Sequence, residues 1–252
     1  MRGLKINNEL TSKMKGNDMK YYQTTNQDCF SGLSINNGCF GNLSCYSVIL
    51  QDILNRFRLM TERHNKVLFV RFDLHFPDGH LCEGFNQELS DFFKLFKEYY
   101  TRKGIDTHYI WVREQSKKNH RPHYHCVVLF DGNKIQKYYP VLEKAADIWA
   151  RVIGADGDGL VNFCNKDYDG RKVENGIMIY RPSSLATGER LYVQQRRYEE
   201  DYDKCFRWAS YLAKVNQKKD TPFSARRYGV SRISKSLFDR YLAENGGVSE
   251  FA

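Results

Sequence analysis

VLFVRFDLHFP, residues 67–77, is the stretch on which the fold turns. Leu68, Val70, Phe72, Leu74 and Phe76 alternate with Val67, Phe69, Arg71, Asp73 and His75. Side chains in a strand leave opposite faces in turn, so one face is wholly apolar and the other becomes polar toward its end. Pro77-Asp78-Gly79 then makes a turn.

Upstream, Ile49, Leu50, Ile53, Leu54, Phe57 and Met60 recur at helical spacing. Downstream, Leu89, Phe92, Phe93, Phe96, Tyr99 and Tyr100 mark a second helix, stopped by Gly104. THYIWVREQ (107–115) reads as a strand, SKKNHRP (116–122) as a polar link and HYHCVVLF (123–130) as the next strand. Leu142, Ala145, Ala146, Trp149 and Val152 mark a third helix, stopped by Gly154. GLVNFCN (159–165) and GIMIY (176–180) read as strands, and a last helix is expected from about Tyr198 to Lys218. From Val67 to Cys164 the order is β-α-β-β-α-β. This predicts an α+β fold with a ferredoxin-like antiparallel sheet, its helices on one face. An extra N-terminal helix and a C-terminal helix flank it. Residues 1–42 are rich in Asn, Ser, Thr, Gly and Lys and read as a poorly ordered leader or an irregular flap. Residues 43–245 are expected to form one domain.

The 252 residues carry 39 Lys and Arg against 30 acids, a net charge of +9. Such an excess suits a polyanionic partner, most simply nucleic acid, and also suits plain solubility. The seven cysteines are scattered with no Cys-x-x-Cys, which argues against a zinc ribbon or a disulfide framework and for reduced thiols in a cytosolic compartment. No apolar run reaches the length of a membrane span, no secretory leader is legible, and no phosphate-binding GxxxxGK[ST] occurs.

Three residues suggest a metal site. His123 and His125 are two apart in a strand and leave the same face, and Glu114 ends the preceding strand, where a hairpin brings it beside them. Two imidazoles and a carboxylate leave positions open on a divalent ion, as metal-assisted phosphoryl transfer requires. The alternative is an ordinary pair of half-buried rings. In the last predicted helix, Tyr211 leaves the apolar stripe and falls with Lys204, Arg207, Trp208, Lys214 and Lys218. A tyrosine on a cationic face could meet a phosphodiester, the cations favouring its phenolate and Lys214 neutralising developing charge. An ordinary surface tyrosine is the other reading. Arg71, Asp73 and His75 either border the metal site or form a solvated strand edge. Arg226, Arg227 and Arg232 either grip DNA backbone or form a solvated basic tail.

Together these residues resemble the HUH endonucleases. His123-Tyr124-His125 is similar to their His-hydrophobic-His signature, Tyr211-Leu212-Ala213-Lys214 to the Tyr-x-x-Lys motif of single-tyrosine initiators, and Glu114 stands where related initiators place a third ligand. VRFDLHFP, WVREQ, HYHCVVLF, SYLAK and ARRYGVSR resemble the inovirus-type replication initiators of filamentous phages and prophages. Arg71, Asp73 and His75 depart from the usual Thr-rich first motif. The resemblance implies a nickase and strand transferase that uses Mg²⁺ or Mn²⁺ and acts in the bacterial cytoplasm. In that chemistry Tyr211 attacks single-stranded or hairpin origin DNA and forms a 5′-phosphotyrosine. The freed 3′-hydroxyl primes rolling-circle replication, with a host helicase and polymerase as partners. A transposase or mobilisation relaxase would share this site. A non-catalytic binder would instead stack bases on Phe69, Tyr109 and Trp111, as RNA-recognition sheets do.

Overall fold

The strand Lys66–Leu74 lies inside the sheet and is buried from Val67 to Leu74, which explains its nearly unbroken apolar run. The computed structural model describes residues 23–233, apart from 39–40, 42, 81–84, 116–120, 156–158, 167–171, 173–174, 217 and 219–224. The elements are β1 (Thr24–Thr25), β2 (Cys29–Phe30), β3 (Leu33–Ser34), β4 (Cys45–Tyr46), α1 (Ser47–Arg63) and β5 (Lys66–Leu74). There follow α2 (Gln87–Arg102), β6 (Thr107–Glu114), β7 (His123–Asp131), α3 (Tyr139–Ile153) and β8 (Val161–Asn162). β9 (Ile177–Tyr180), α4 (Gly188–Ala209), a 3-10 turn (Ser210–Ala213) and β10 (Tyr228–Val230) complete the series.

The fold is α+β. Its main sheet runs β10-β6-β7-β5-β8, β9 pairs the Lys66 end of β5, and every pairing is antiparallel. Leu68, Val70, Phe72 and Leu74, with Cys126, Val128 and Phe130, face α2 and α3 through Phe92, Phe96, Leu142 and Trp149. Val67, Phe69, Ile110, Val112, Val127 and Leu129 face α1 and α4 through Ile53, Phe57, Tyr202 and Phe206. Helices therefore cover both faces. This removes the base-stacking alternative from the open sheet it needs: Phe69 is fully buried, Trp111 is buried, and Tyr109 stacks on Phe93 at 4.0 Å.

Three expectations need correction. GLVNFCN contributes only Val161 and Asn162 as strand. The last helix begins at Gly188 and ends at Ala209, short of Lys218, and its early turns expose Leu191, Tyr192 and Val193, so they carry no apolar stripe to announce them. It stops because Ser210 Oγ donates to Arg207 O and also accepts from Asn36 N, and the chain tightens to 3-10. Residues 1–22 of the expected leader lie outside the described residues, but residues 23–38 have definite structure. β2 and β3 form a hairpin, Ser34 N donates to Asp203 Oδ1 on α4, and Ile35 and Asn37 are buried. Among the described residues no helix is long and apolar enough to cross a membrane.

Phe57 of α1 joins three elements through its ring, meeting Phe69 at 5.9 Å, Tyr202 at 5.4 Å and Phe206 at 5.9 Å. Phe57→Ala should destabilise the fold by about 3–5 kcal/mol, read from urea unfolding followed by circular dichroism.

Candidate metal centre and the tyrosine beside it

Register assembles the site. β6 and β7 pair Glu114 with His123 and Val112 with His125, and β5 and β7 pair Asp73 with His125. Alternation sends Arg71, Asp73, Glu114, His123 and His125 to the face shared with α1 and α4. One ligand atom each from Glu114, His123 and His125 lies within 4.8 Å of the other two. His125 Nε2 is 3.2 Å from Glu114 Oε2, and His123 Nε2 is 3.6 Å from the same oxygen.

The outer contacts orient these ligands. His125 Nδ1 lies 2.7 Å from Asp73 Oδ1, an ion-pair contact that leaves the Nε2 side of the ring toward Glu114. Lys218 Nζ donates to Glu114 Oε1 at 2.8 Å, leaving Oε2 for the histidines. His125 Nε2 and Glu114 Oε2 therefore face each other at 3.2 Å, where they share a proton or could share a cation. Two imidazoles and a carboxylate at these separations could hold one small divalent ion.

Electrostatics follow the same logic. Burial disfavours the His125 imidazolium, but Asp73 and Glu114 outweigh it and push its pKa up. Burial opposes the Glu114 carboxylate too, yet the adjacent His123 and His125 rings and the Lys218 charge hold it well below the usual range. Asp73 is likewise held low by His125 against its burial. His75 is pulled down by burial and by His123, on which its ring stacks at 5.6 Å.

Tyr211 enters from the 3-10 turn, and its ring lies edge-on to His125 at 5.1 Å. The Arg71 guanidinium sits 4.4 Å from the ring centre and Lys214 Nζ 3.8 Å from it. Lys214 is thus beside Tyr211 as expected, but not through helical spacing. The expected phenolate character is reversed: burial, then Glu114, push the Tyr211 pKa up, and Arg71 only partly offsets them. Burial and Arg71 pull Lys214 down.

The wider cationic face does not form. Lys218 is fully buried on Glu114, not free for DNA, because the chain leaves the helix before it. Trp208 is half-buried against Phe69 at 6.1 Å, while Lys204 and Arg207 are exposed on α4. Arg226 is exposed next to edge strand β10, as is Arg232, and both act electrostatically on Tyr109, on the opposite side of the sheet from the metal ligands. Arg227 is half-buried, its carbonyl accepting from Arg113 N and its charge felt by Tyr46. Arg71 and Asp73 border the metal site and are buried rather than solvated.

Sequence reading missed the supports. Buried Asn175 accepts from Arg71 N at 3.1 Å and donates to Arg71 O at 2.6 Å, and it also bonds Phe163 O. Asn36 N donates to Ser210 Oγ at 2.7 Å, and Val215 N donates to Ser44 O at 2.9 Å, which pins the Tyr211 turn from both ends. No local signal marks these contacts, since all but the Asn175–Phe163 bond join residues more than a hundred positions apart.

Fold and side-chain cluster together define an α+β protein with a candidate metal centre of two histidines and a carboxylate. The chain belongs to the YagK/YfjJ C-terminal domain family, whose sequence model matches residues 25–231. No curated protein and no solved structure matches it.

Asp73→Asn should weaken Mn²⁺ binding about 10- to 100-fold in calorimetry, because His125 loses its orienting carboxylate. Lys218→Met leaves the Glu114 charge buried without its partner and should cost about 3–5 kcal/mol in chemical unfolding.

Proposed function

We propose that this protein nicks and rejoins single-stranded DNA, with Tyr211 as the attacking group at a divalent-metal site. One observation carries the reading: a half-buried tyrosine lies 5.1 Å from His125 on the sheet face that gathers Glu114, His123 and His125. The strand order β6-β7-β5-β8 supports the ferredoxin-like plan on which the HUH resemblance rests.

A Mg²⁺ or Mn²⁺ ion held by Glu114, His123 and His125 supplies Lewis-acid polarisation of a phosphate oxygen. The chain's own residues supply the rest. Tyr211 Oη forms the new bond to phosphorus as the bond from phosphorus to the 3′-oxygen breaks, giving a 5′-phosphotyrosine and a 3′-hydroxyl. The phenol loses one proton and the leaving oxygen gains one, so the transfer is balanced and reversible. Burial and the Glu114 charge favour the neutral phenol at Tyr211. Arg71 and Lys214 hold positive charge against the ring, where they offset the charge developing on the phosphate. Exposed Lys204 and Arg207 on α4 offer contacts to the DNA backbone.

In this reading the substrate is the single-stranded or hairpin origin of a phage, prophage or plasmid-like element. Nicking starts rolling-circle replication in the bacterial cytoplasm, with host helicase and polymerase completing the cycle. Wild-type protein incubated with Mn²⁺ and its element's origin strand should give a covalent adduct on denaturing electrophoresis, mapped to Tyr211. Tyr211→Phe should reduce that adduct at least a hundredfold while retaining DNA and Mn²⁺ binding. An adduct on another tyrosine, or normal nicking by Tyr211→Phe, would overturn the assignment.

A further inference from the structure

We infer that the groove beside His123 is a nucleobase subsite, taking the base of a nucleotide that flanks the nicked phosphate. This inference rests on the nicking reading. The groove has a volume of about 490 Å³ and is lined by His75, Gly159, Val161, Asn162, Phe163 and Asn165. That volume falls in the usual range of small-molecule sites, about 300–1,000 Å³. It opens next to the metal centre, because the His75 ring lies parallel to His123, 5.6 Å away with 5° between the planes.

The lining chemistry selects the ligand. Among the described residues the lining holds no Lys, Arg, Asp or Glu, and its groups suit a neutral ligand. Its walls are the His75 and Phe163 rings, an aliphatic Val161, and the amides of Asn162 and Asn165. Flat rings give a neutral heterocycle a face to stack on, and amides meet its hydrogen-bonding edge. Asn162 Oδ1 already accepts from Cys164 N at 2.9 Å, so its amide plane is fixed and its NH₂ is the group left for a ligand. Phe163 is braced edge-on by Tyr139 at 5.8 Å. At Gly159 a side chain would meet nothing within 4 Å, leaving space on that side.

The groove is also held in register with the reacting groups. β8 pairs Asn162 with Asp73 and Val161 with Leu74, and His75 N donates to Leu160 O at 2.8 Å. Asp73 in turn holds His125. A base seated here is therefore tied through one strand to the metal ligands. Its sugar-phosphate would run toward Glu114 and Tyr211, which gives the nick site a base preference that the metal alone does not supply.

The test compares a fluorescent dT 12-mer with a fully abasic 12-mer of the same phosphate count, by anisotropy in Mn²⁺. Wild-type protein should prefer the dT strand by roughly 5- to 100-fold, the range expected of stacking. The Phe163→Ala/Asn165→Ala variant should lose most of that preference while binding the abasic strand as wild type does. Unchanged melting temperature and Mn²⁺ affinity show that the variant is folded. Should Phe163→Ala fail to fold, Phe163→Leu with Asn165→Ala keeps the bulk and removes the aromatic face. A variant that keeps the full dT preference, while wild type nicks DNA through Tyr211, overturns the subsite alone. Wild-type protein that binds neither strand overturns the nicking reading and the subsite with it.

Discussion

A buried ionic chain crosses three strands of this sheet, and the site depends on it. Lys218 holds Glu114, Glu114 faces His125, and His125 is held by Asp73, with contacts of 2.8, 3.2 and 2.7 Å. Each of these groups is buried, so each needs a partner to offset the loss of water. The consequence is directional. Asp73 fixes which imidazole nitrogen faces inward, and Lys218 fixes which carboxylate oxygen does. What remains between them is an imidazole nitrogen and a carboxylate oxygen 3.2 Å apart, close enough that both could hold one small ion.

The same chain ties the metal ligands to Tyr211. Lys218 lies seven residues beyond Tyr211, and the segment between them is fixed by the bridge of Lys214 to Cys45 and by Val215 to Ser44. Ser210, at the start of the 3-10 turn, is fixed by Asn36. Ser34, Asn36 and Ser44 clamp the turn and the end of α4 through their backbone atoms, Ser34 N and Asn36 N donating to Asp203 and Ser210 side chains and Ser44 O accepting from Val215 N. A helix continuing through Tyr211 would have carried Lys218 onward along its axis. Breaking the helix at Ala209 lets the chain fold Lys218 back onto Glu114.

The electrostatic balance of the site is mixed rather than simply cationic. Arg71 and Lys214 stand against the Tyr211 ring, but Glu114 and Asp73 are also close enough to act on its hydroxyl, and burial works with them. A phenol in such surroundings stays neutral at rest. An incoming phosphate with its divalent ion would change the balance, since the ion neutralises Glu114 and withdraws the main negative charge facing the ring.

How much was legible in the sequence follows from the range of each signal. Period-two alternation in VRFDLHF and HYHCVVLF fixed which side chains share a face, so the convergence of Glu114, His123 and His125 could be read directly. Helical spacing located α1, α2 and α3 because each buries a continuous apolar stripe. It misplaced α4, whose first turns pack little and whose end is set by Asn36, far away in the chain. The same limit applies to Lys218 and Asn175. A lysine among lysines reads as surface and a lone asparagine as loop, and only long-range packing buries one on Glu114 and the other on Arg71. The sequence by itself determined the sheet faces and the three candidate ligands, because these are local and periodic. The tertiary structure alone decided which charges are buried, how the ligands are aimed and where Tyr211 stands, because each is set by partners that no local pattern names.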